Sequence, residues 1–213
     1  MTRPIYLLLV VAIFSFAVSA QPKPRPKPFA TPMPETEDTV AKFGGVITGK
    51  SYRNESLRFE LTMPDGWFFA GRDFESILRK DGIDLSVAKS SAKLLFTAFR
   101  AETDTKSSAI ARFASEDITL QPQITDEVDY LDAVRASFKL VRPPAGFKYG
   151  ETQVEKLAGK QFAYLEIEST LGKKRMYVML RGRTAILMTL SYKDASDLGR
   201  FRRVLDEGDF DLR

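Results

Sequence analysis

The chain contains 213 residues, of which 44% are hydrophobic and 28% are charged, and it contains neither histidine nor cysteine. This composition is typical of an ordinary globular domain and excludes a disulfide scaffold or a collagen-like chain. The absence of His and Cys also excludes a thiol nucleophile, a His-based triad and a standard zinc site. We therefore expect no cofactor.

The first twenty residues are not expected to belong to the fold. Arg3 precedes a 14-residue apolar stretch, Ile5–Val18, and a small-residue pattern that a signal peptidase recognises ends at Ala20. The stretch is shorter than the roughly 20 residues that a membrane-spanning helix needs. Residues 1–20 are interpreted as a signal peptide cleaved before Gln21, with an uncleaved anchor as the alternative. We expect an exported protein, periplasmic or extracellular, without a membrane span after cleavage.

The next segment, residues 21–42, alternates prolines with the cations Lys23, Arg25 and Lys27. Proline fixes φ and cannot donate a backbone hydrogen bond, so this segment favours an extended polyproline II conformation. We interpret it as a disordered linker, with weak contact between its cations and an anionic surface as a further role. Apart from these three cations, acidic and basic side chains after residue 20 balance. The domain is therefore not expected to bind nucleic acid.

Residues 43–213 are expected to form one domain, because no repeat or further linker interrupts them. The first predicted elements are two alternating strands, at Ile47–Arg53 and Leu57–Met63. The elements predicted after them are a short helix at Asp73–Lys80 and strands at Lys93–Arg100 and Ala109–Ser115.

Two longer helices are predicted from apolar residues that repeat at three- and four-residue intervals. The first covers Asp126–Val141, with Thr125 as its N-cap and two prolines after its end. The second covers Ala195–Leu205, and its arginines are expected to face water.

Three strands between these helices predict an antiparallel meander, at Gln161–Ser169, Lys174–Arg181 and Thr184–Tyr192. A turn centred on Leu171-Gly172 would place Glu168 opposite Arg175. Both faces of this meander are apolar, which an antiparallel sheet with one wet face would not show. The sequence therefore predicts an α/β fold, a three-layer α/β/α sandwich around a mainly antiparallel sheet.

The order of elements and two stretches of sequence resemble a known family. SYRNESLRFELTMPDGW, at residues 51–67, and LAGKQFAYLEIES, at residues 157–169, are similar to the Mog1/PsbP-like fold, also described as a PsbP/DcrB-like domain. The plant relatives are non-enzymatic extrinsic subunits of photosystem II, so the resemblance implies a non-catalytic accessory role. Their metal contacts include histidine, which this chain lacks, and no site residue is carried over.

The stretch Gly44–Ser51 matches the phosphate-binding loop G-x-x-x-x-G-K-[ST] letter for letter. That chemistry requires a helix that begins at the lysine, so that backbone N–H groups and the helix dipole hold the phosphate. Here residues 52–61 alternate like a strand. We therefore interpret the match as a coincidence.

Charged residues give the remaining candidates. Glu166 and Glu168 have the spacing of a hydrolytic carboxylate pair, but they are interpreted as the rim of the sheet. The partner-binding candidates beside the linker cations are Lys173, Lys174 and Arg175, on a hairpin. Arg181 and Arg183 at the next hairpin, and the acidic C-terminus from Asp206 to Asp211, are expected to be solvated. Asn54-Glu55-Ser56 is a glycosylation sequon, and Trp67 is expected in the core.

The function that these observations favour is that of an exported, non-catalytic envelope or secreted accessory protein that binds a protein partner. The alternatives are a small-ligand-binding protein and a carboxylate-dependent hydrolase, because neither needs histidine. A cleft around the glutamates would favour the hydrolase, and an exposed apolar patch beside a basic hairpin would favour the partner.

Overall fold

The computed structural model describes residues 39–40, 44–71, 92–100, 109–140, 148–169 and 172–212. The predicted signal peptide, the linker cations and the predicted helix at Asp73–Lys80 lie outside these residues. In the described part of the chain, neither helix combines the length and the apolar character that crossing a membrane requires.

A small antiparallel sheet opens the domain, with strands in the order β1-β2-β3-β4. Its strands are β1 (Thr39–Val40), β2 (Val46–Thr48), β3 (Ser51–Asn54) and β4 (Phe59–Thr62). Strand β1 lies within the predicted linker and pairs with β2. The single strand predicted at Ile47–Arg53 is wrong, since β2 and β3 form a hairpin around Gly49 and Lys50. Gly49 has φ of +56°, a conformation that glycine adopts without a steric penalty.

A large sheet of eight described strands forms the centre of the molecule, in the order β5-β6-β7-β12-β11-β10-β8, with β9 also paired to β10. Its strands are β5 (Trp67–Phe69), β6 (Ala92–Arg100), β7 (Ile110–Asp117), β8 (Lys148–Tyr149), β9 (Gln153–Leu157), β10 (Lys160–Ser169), β11 (Gly172–Arg181) and β12 (Thr184–Tyr192). All described pairs are antiparallel. The predicted meander corresponds to β10, β11 and β12.

The register of the first meander hairpin differs from the prediction. Ser169 pairs with Gly172, and Arg175 faces Glu166 instead of Glu168. Glu168 faces Lys173. The displacement is two residues, which equals the side-chain period of a strand, and the assignment of side chains to the two faces is unchanged.

Each face of the large sheet carries its own buried cluster. Helix α1 (Glu127–Leu140) packs its Leu131 against a cluster that includes Leu165 and Val178. On the other face, α2 (Ala195–Asp206) contributes Phe201, and the small sheet contributes Phe59 to a second cluster. The predicted α/β class with a mainly antiparallel sheet is therefore observed. Because strands as well as α2 cover the second face, the three-layer sandwich stays a prediction.

The N-cap of α1 is also different from the prediction. Asp126 Oδ1 accepts the backbone N–H of Asp129 at 2.8 Å, which is the N-cap interaction. Thr125 instead donates its hydroxyl and its N–H to Asp129 Oδ2, at 2.6 and 2.9 Å. Both residues thus stabilise the first turn, but the cap is Asp126.

The acidic C-terminus is not a free tail, because its backbone docks on the domain, but its acidic side chains are exposed as predicted. Asp209 pairs with Glu60 through two backbone hydrogen bonds of 2.7 and 3.0 Å, which add a bridge to β4. Phe210 is only 2% exposed and joins the core cluster of the second face. Asp211 forms an ion pair with Lys160. Burial of Phe210 fixes this segment, and its carboxylates then lie beside cations of the domain.

Candidate functional site

The residues of the phosphate-loop motif have structural roles. Strand β3 begins at Ser51, where a phosphate site would need a helix. The Ser51 hydroxyl lies 2.8 Å from that of Thr62, and Lys50 forms an ion pair with Asp65. A Cβ on Gly45 would lie 2.2 Å from the ring of Tyr52, so close packing requires this glycine. The strand that begins at Ser51 therefore supports the interpretation of the match as a coincidence.

We expect Lys50→Ala to change the free energy of unfolding by no more than about 0.5 kcal/mol, because its ion pair with Asp65 is exposed. Denaturant unfolding of the variant beside the unchanged chain measures this. A loss of several kcal/mol would contradict this expectation, because it would mean that the Lys50 side chain stabilises the hairpin far more than an exposed ion pair does.

The sequon asparagine is the last residue of β3 and is buried rather than accessible. Asn54 is 1% exposed, its Nδ2 donates to the Tyr52 hydroxyl at 2.9 Å, and its Oδ1 accepts the N–H of Leu57 at 2.9 Å. Its amide is therefore used twice within the fold, which leaves no access for a glycan. Trp67 is buried in the core, as predicted.

The arginines of the hairpin between β11 and β12 bind backbone carbonyl oxygens of neighbouring loops. The Arg183 guanidinium donates to three backbone carbonyl oxygens, those of Ile118, Gln121 and Ile124, at 2.5 to 2.8 Å. Arg181 donates to the carbonyl oxygen of Phe210. Both arginines therefore close loops of the fold. Arg183 is exposed, as expected, whereas the expectation of a solvated side chain is wrong for Arg181, which is only 23% exposed.

The three candidates on the β10–β11 hairpin are in different environments. Lys173 is 56% exposed and pairs with Glu168 at 2.9 Å. This hydrogen bond lowers the pKa of Glu168 and raises the pKa of Lys173. Lys174 projects to the opposite face of the sheet and is half-buried, whereas Arg175 is only 13% exposed. They do not form one basic patch.

Arg175 is the centre of a polar network, which we call the Arg175 cluster. Its Nε donates to Glu166 Oε1 at 3.0 Å, and its Nη1 donates to the Tyr177 hydroxyl at 3.1 Å. The guanidinium carbon lies 4.4 Å from the centroid of the Tyr164 ring, in a cation–π arrangement. The members of the cluster are Glu155, Tyr164, Glu166, Arg175, Tyr177 and Arg202.

Glu155 connects the buried part of this cluster to helix α2. Its Oε1 accepts the Tyr177 hydroxyl at 2.6 Å, and its Oε2 forms an ion pair with Arg202. Burial, and then the hydrogen bond to Glu155, raises the pKa of Tyr177. Burial lowers the pKa of Arg175, but its hydrogen bonds to Tyr177 and Glu166 outweigh burial and keep that pKa above its usual value. At neutral pH the Tyr177 hydroxyl is therefore neutral and the Arg175 guanidinium is positively charged.

The two glutamates of the predicted carboxylate pair are both engaged by cations. Glu166 and Glu168 each face a cation, Arg175 and Lys173, and the pKa of Glu168 is lowered. A general acid needs a raised pKa. Among the described residues, no group of three or more acidic side chains has the arrangement to hold a metal ion.

Sequence reasoning missed two members of the cluster. Glu155 lies on β9, whose residues are mostly exposed apart from Leu157. Arg202 is 47% exposed, in line with the expectation that it faces water, but its ion pair with Glu155 was not predicted. The one available signal was the turn at Ala158-Gly159, which joins β9 to β10 as a hairpin. It indicates a strand on each side.

Half-burial of Lys174 gives a pH-dependent prediction. Burial and the nearby charge of Arg112 lower its pKa from 10.5 to about 8. Below about pH 8 the folded state therefore carries an unfavourable charge, and this cost falls as the pH rises toward 10.5, the value for an exposed lysine.

We therefore expect Lys174→Met to raise the free energy of unfolding at neutral pH, and we expect this gain to shrink above about pH 8. Denaturant unfolding of both proteins in phosphate-free buffer, at about pH 7 and about pH 10, measures the difference. Lys173→Met is the matched control, because Lys173 is exposed. A gain that grows with pH would contradict the argument.

No family model and no curated protein matches this sequence. Solved structures that are similar to the chain include cyanobacterial PsbP (CyanoP) from Synechocystis sp. PCC 6803. The identity is 10%, the TM-score is 0.46, and the match covers 73% of this chain and 87% of that one. A protein of unknown function from Pseudomonas aeruginosa matches with 13% identity, a TM-score of 0.42, and coverage of 74% and 93%.

A further similar structure is LpqN from Mycobacterium tuberculosis, described as involved in cell envelope biogenesis. Its identity is 15%, its TM-score is 0.39, and the match covers 71% of this chain and 82% of that one. A PsbP, the kind of protein that the sequence resembles, is one of these similar structures. Likeness at this level of identity concerns the fold alone.

Proposed function

We propose that this chain is an exported, non-catalytic accessory protein of the cell envelope, which binds a protein partner at the surface formed by the Arg175 cluster and the adjoining hairpin. The observation that carries this proposal is the stack of Arg175 on Tyr164, 4.4 Å apart, with Glu166 bonded to the same guanidinium. Tyr and Arg are enriched among the residues that contribute most to protein interfaces.

Preorganisation supports the same proposal. Arg175 is fixed by Glu166 and Tyr177 before any partner arrives, and Tyr164 donates its hydroxyl to Gln153. Side chains that are already ordered lose less conformational entropy when a complex forms. Lys173 and Glu168 add an exposed charged rim at the hairpin end.

A carboxylate-dependent hydrolase is the less favoured candidate. Its carboxylates would be Glu166 and Glu168, and both are engaged by cations. The lowered pKa of Glu168 supports a permanently ionised carboxylate, which cannot donate a proton to a leaving group near neutral pH. The partner-binding proposal needs no such change of charge.

The remaining parts of the proposal concern organisation. The export signal at residues 1–20, the linker at 21–42 and the domain at 43–213 rest on composition and on the apolar N-terminal stretch. Lys23, Arg25 and Lys27 are proposed to add a weak contact with an anionic surface. Helix packing on both faces of the large sheet supports the three-layer sandwich.

Quantitative capture from envelope extracts of the native host tests the proposed surface. The bait proteins are the unchanged chain, Tyr164→Ala and, as a matched control on the opposite sheet face, Lys156→Ala. We expect one set of proteins to be recovered with the unchanged chain and the control and to be lost with Tyr164→Ala, while the variant stays folded. Equal recovery by all three baits would contradict the proposed surface.

A further inference from the structure

Leu120, in the loop between β7 and α1, is the most exposed large apolar side chain of the described residues. It is 94% exposed, whereas every other such side chain in that part of the chain is less than half exposed. Leucine is among the residues that proteins most often bury. The fold therefore leaves in water a side chain that burial in a complex would stabilise.

The loop that carries Leu120 consists of two successive β-turns. The N–H of Gln121 donates to the carbonyl oxygen of Ile118 at 2.9 Å, and the N–H of Ile124 donates to that of Gln121 at 3.1 Å. Leu120 is a central residue of the first turn, and Pro122, whose ring fixes φ, is a central residue of the second. Ile118 and Ile124 are buried at the two ends of the loop. Central positions of turns favour Gly, Pro, Asn, Asp or Ser, so the turn itself does not require leucine.

Side chains on both sides of the loop hold these turns in place. The Arg183 guanidinium donates to three carbonyl oxygens of the two turns, and the Arg183 carbonyl oxygen accepts the N–H of Ile118 at 2.9 Å. Asp117 Oδ1 accepts the N–H and the hydroxyl of Thr119 at 2.8 and 2.5 Å. The backbone on each side of Leu120 is thus fixed before any contact forms, which lowers the entropy cost of binding.

We propose that Leu120 is an apolar anchor, which a protein partner receives in an apolar pocket of about the size of a leucine side chain. Protein interfaces commonly combine an apolar centre with a polar rim. The neighbours Thr119, Gln121 and Gln123 supply hydroxyl and amide groups for such a rim. The loop is at the other end of β11 from Arg175, about 20 Å away along the strand. This contact is therefore separate from the surface of the Arg175 cluster.

Apolar area and charge favour a protein pocket over a lipid surface. One leucine buries less apolar surface than a fatty acyl chain, and even one acyl chain gives only marginal membrane binding. The loop lies between the exposed carboxylates of Asp117 and Asp126, whereas one cation, Arg183, is bonded to it. The loop thus lacks the excess of positive charge that attracts a protein to anionic headgroups.

Photocrosslinking of the full chain in the native host identifies the partner. A photoreactive residue at position 120 is compared with one in place of Ser56, which is exposed in the turn between β3 and β4. We expect a protein adduct of one discrete mass from position 120 and none from position 56. No adduct from position 120 in the folded, exported protein would overturn the proposal, and so would an adduct with a second copy of the chain. The surface of the Arg175 cluster is tested separately, by Tyr164→Ala.

Titration of the purified adduct protein with variants of the full chain tests the role of the leucine. Leu120→Ala should weaken binding by about tenfold or more, because it removes most of the apolar surface that the pocket buries. Leu120→Met keeps the volume and the apolar character and should weaken binding less. Arg183→Lys keeps the charge but loses the planar fork that holds the turns, so it should weaken binding by about two- to tenfold. Unchanged affinity in folded Leu120→Ala would overturn the proposal.

Sedimentation with vesicles of phosphatidylethanolamine and phosphatidylglycerol tests the lipid alternative. The unchanged chain and Leu120→Ala are compared at the same ionic strength. Since the anchor is proposed to enter a protein pocket, we expect the two proteins to sediment to the same extent with the vesicles. Vesicle binding that Leu120→Ala removes would overturn the proposal, because it would assign the exposed leucine to a membrane surface.

Discussion

Asp197→Ala is expected to lower the free energy of unfolding by about 3–5 kcal/mol, which is the cost of breaking a buried ion pair by removing one partner. Asp197 is fully buried in the first turn of α2, and Arg100 at the end of β6 is 14% exposed. Their closest approach is 2.7 Å, between Arg100 Nε and Asp197 Oδ1. The aligned hydrogen bond is from Arg100 Nη2 to Asp197 Oδ2, at 3.0 Å.

Denaturant unfolding measures this loss, and two controls give it meaning. Arg200 also approaches Asp197, at 3.5 Å, but it is 46% exposed, so Arg200→Ala should cost less than about 1 kcal/mol. The double variant Asp197→Ala, Arg100→Met should recover part of the loss, because it leaves no buried charge without its partner. A cost below about 1 kcal/mol for Asp197→Ala would contradict the buried ion pair.

Glu155→Ala is expected to cost about 2–3 kcal/mol of unfolding free energy, since it leaves charged and hydroxyl donors of the Arg175 cluster without their acceptor. The Glu155 side chain is 16% exposed and accepts the Tyr177 hydroxyl at 2.6 Å. It also lies between two guanidinium groups, with Arg202 in an ion pair and Arg175 at 3.7 Å. Without this carboxylate, Arg202 loses its ion pair with Glu155, and the compensation of Arg175 is reduced to its ion pair with Glu166.

Thermal or denaturant unfolding of three variants tests this role. Glu155→Gln keeps an acceptor oxygen and should lose less than Glu155→Ala. Glu166→Gln is the second control, because Glu166 is 44% exposed and its replacement should cost about 1 kcal/mol or less. Equal losses for Glu155→Ala and Glu166→Gln would contradict the view that Glu155 is the buried acceptor of the cluster.

The central strands could be predicted from the sequence because their burial is extreme. Strand β12 was predicted with its observed bounds, Thr184–Tyr192, and β10 and β11 within two residues at their ends. These strands carry apolar residues on both faces, a pattern that few other structures produce. The register of the hairpin between β10 and β11 could not be decided from the apolar pattern. Moving the centre of the turn by one residue shifts the pairing by two residues, which leaves every side chain on the same face of the sheet.

Other elements have no comparable signal. Strand β9 is an edge strand in which only Leu157 is buried, so its sequence shows no alternation of apolar and polar residues. The hairpin at Gly49 is too short for periodicity to show. Charge alone cannot tell whether the acidic C-terminus is solvated, because its position is set by the burial of Phe210. The Arg175 cluster could not be predicted from the sequence either, because Glu155 lies on the edge strand β9, which has no sequence pattern of its own.

Site-specific photocrosslinking in the native host tests most directly whether the face of the Arg175 cluster meets a protein partner. A photoreactive residue at position 173, on the exposed hairpin of that face, is compared with one at position 156, also an exposed lysine but on the opposite face. We predict a protein adduct of one discrete mass from position 173 and none from position 156. An adduct from position 156 alone, or none from position 173 in the folded and exported protein, would contradict the proposed function.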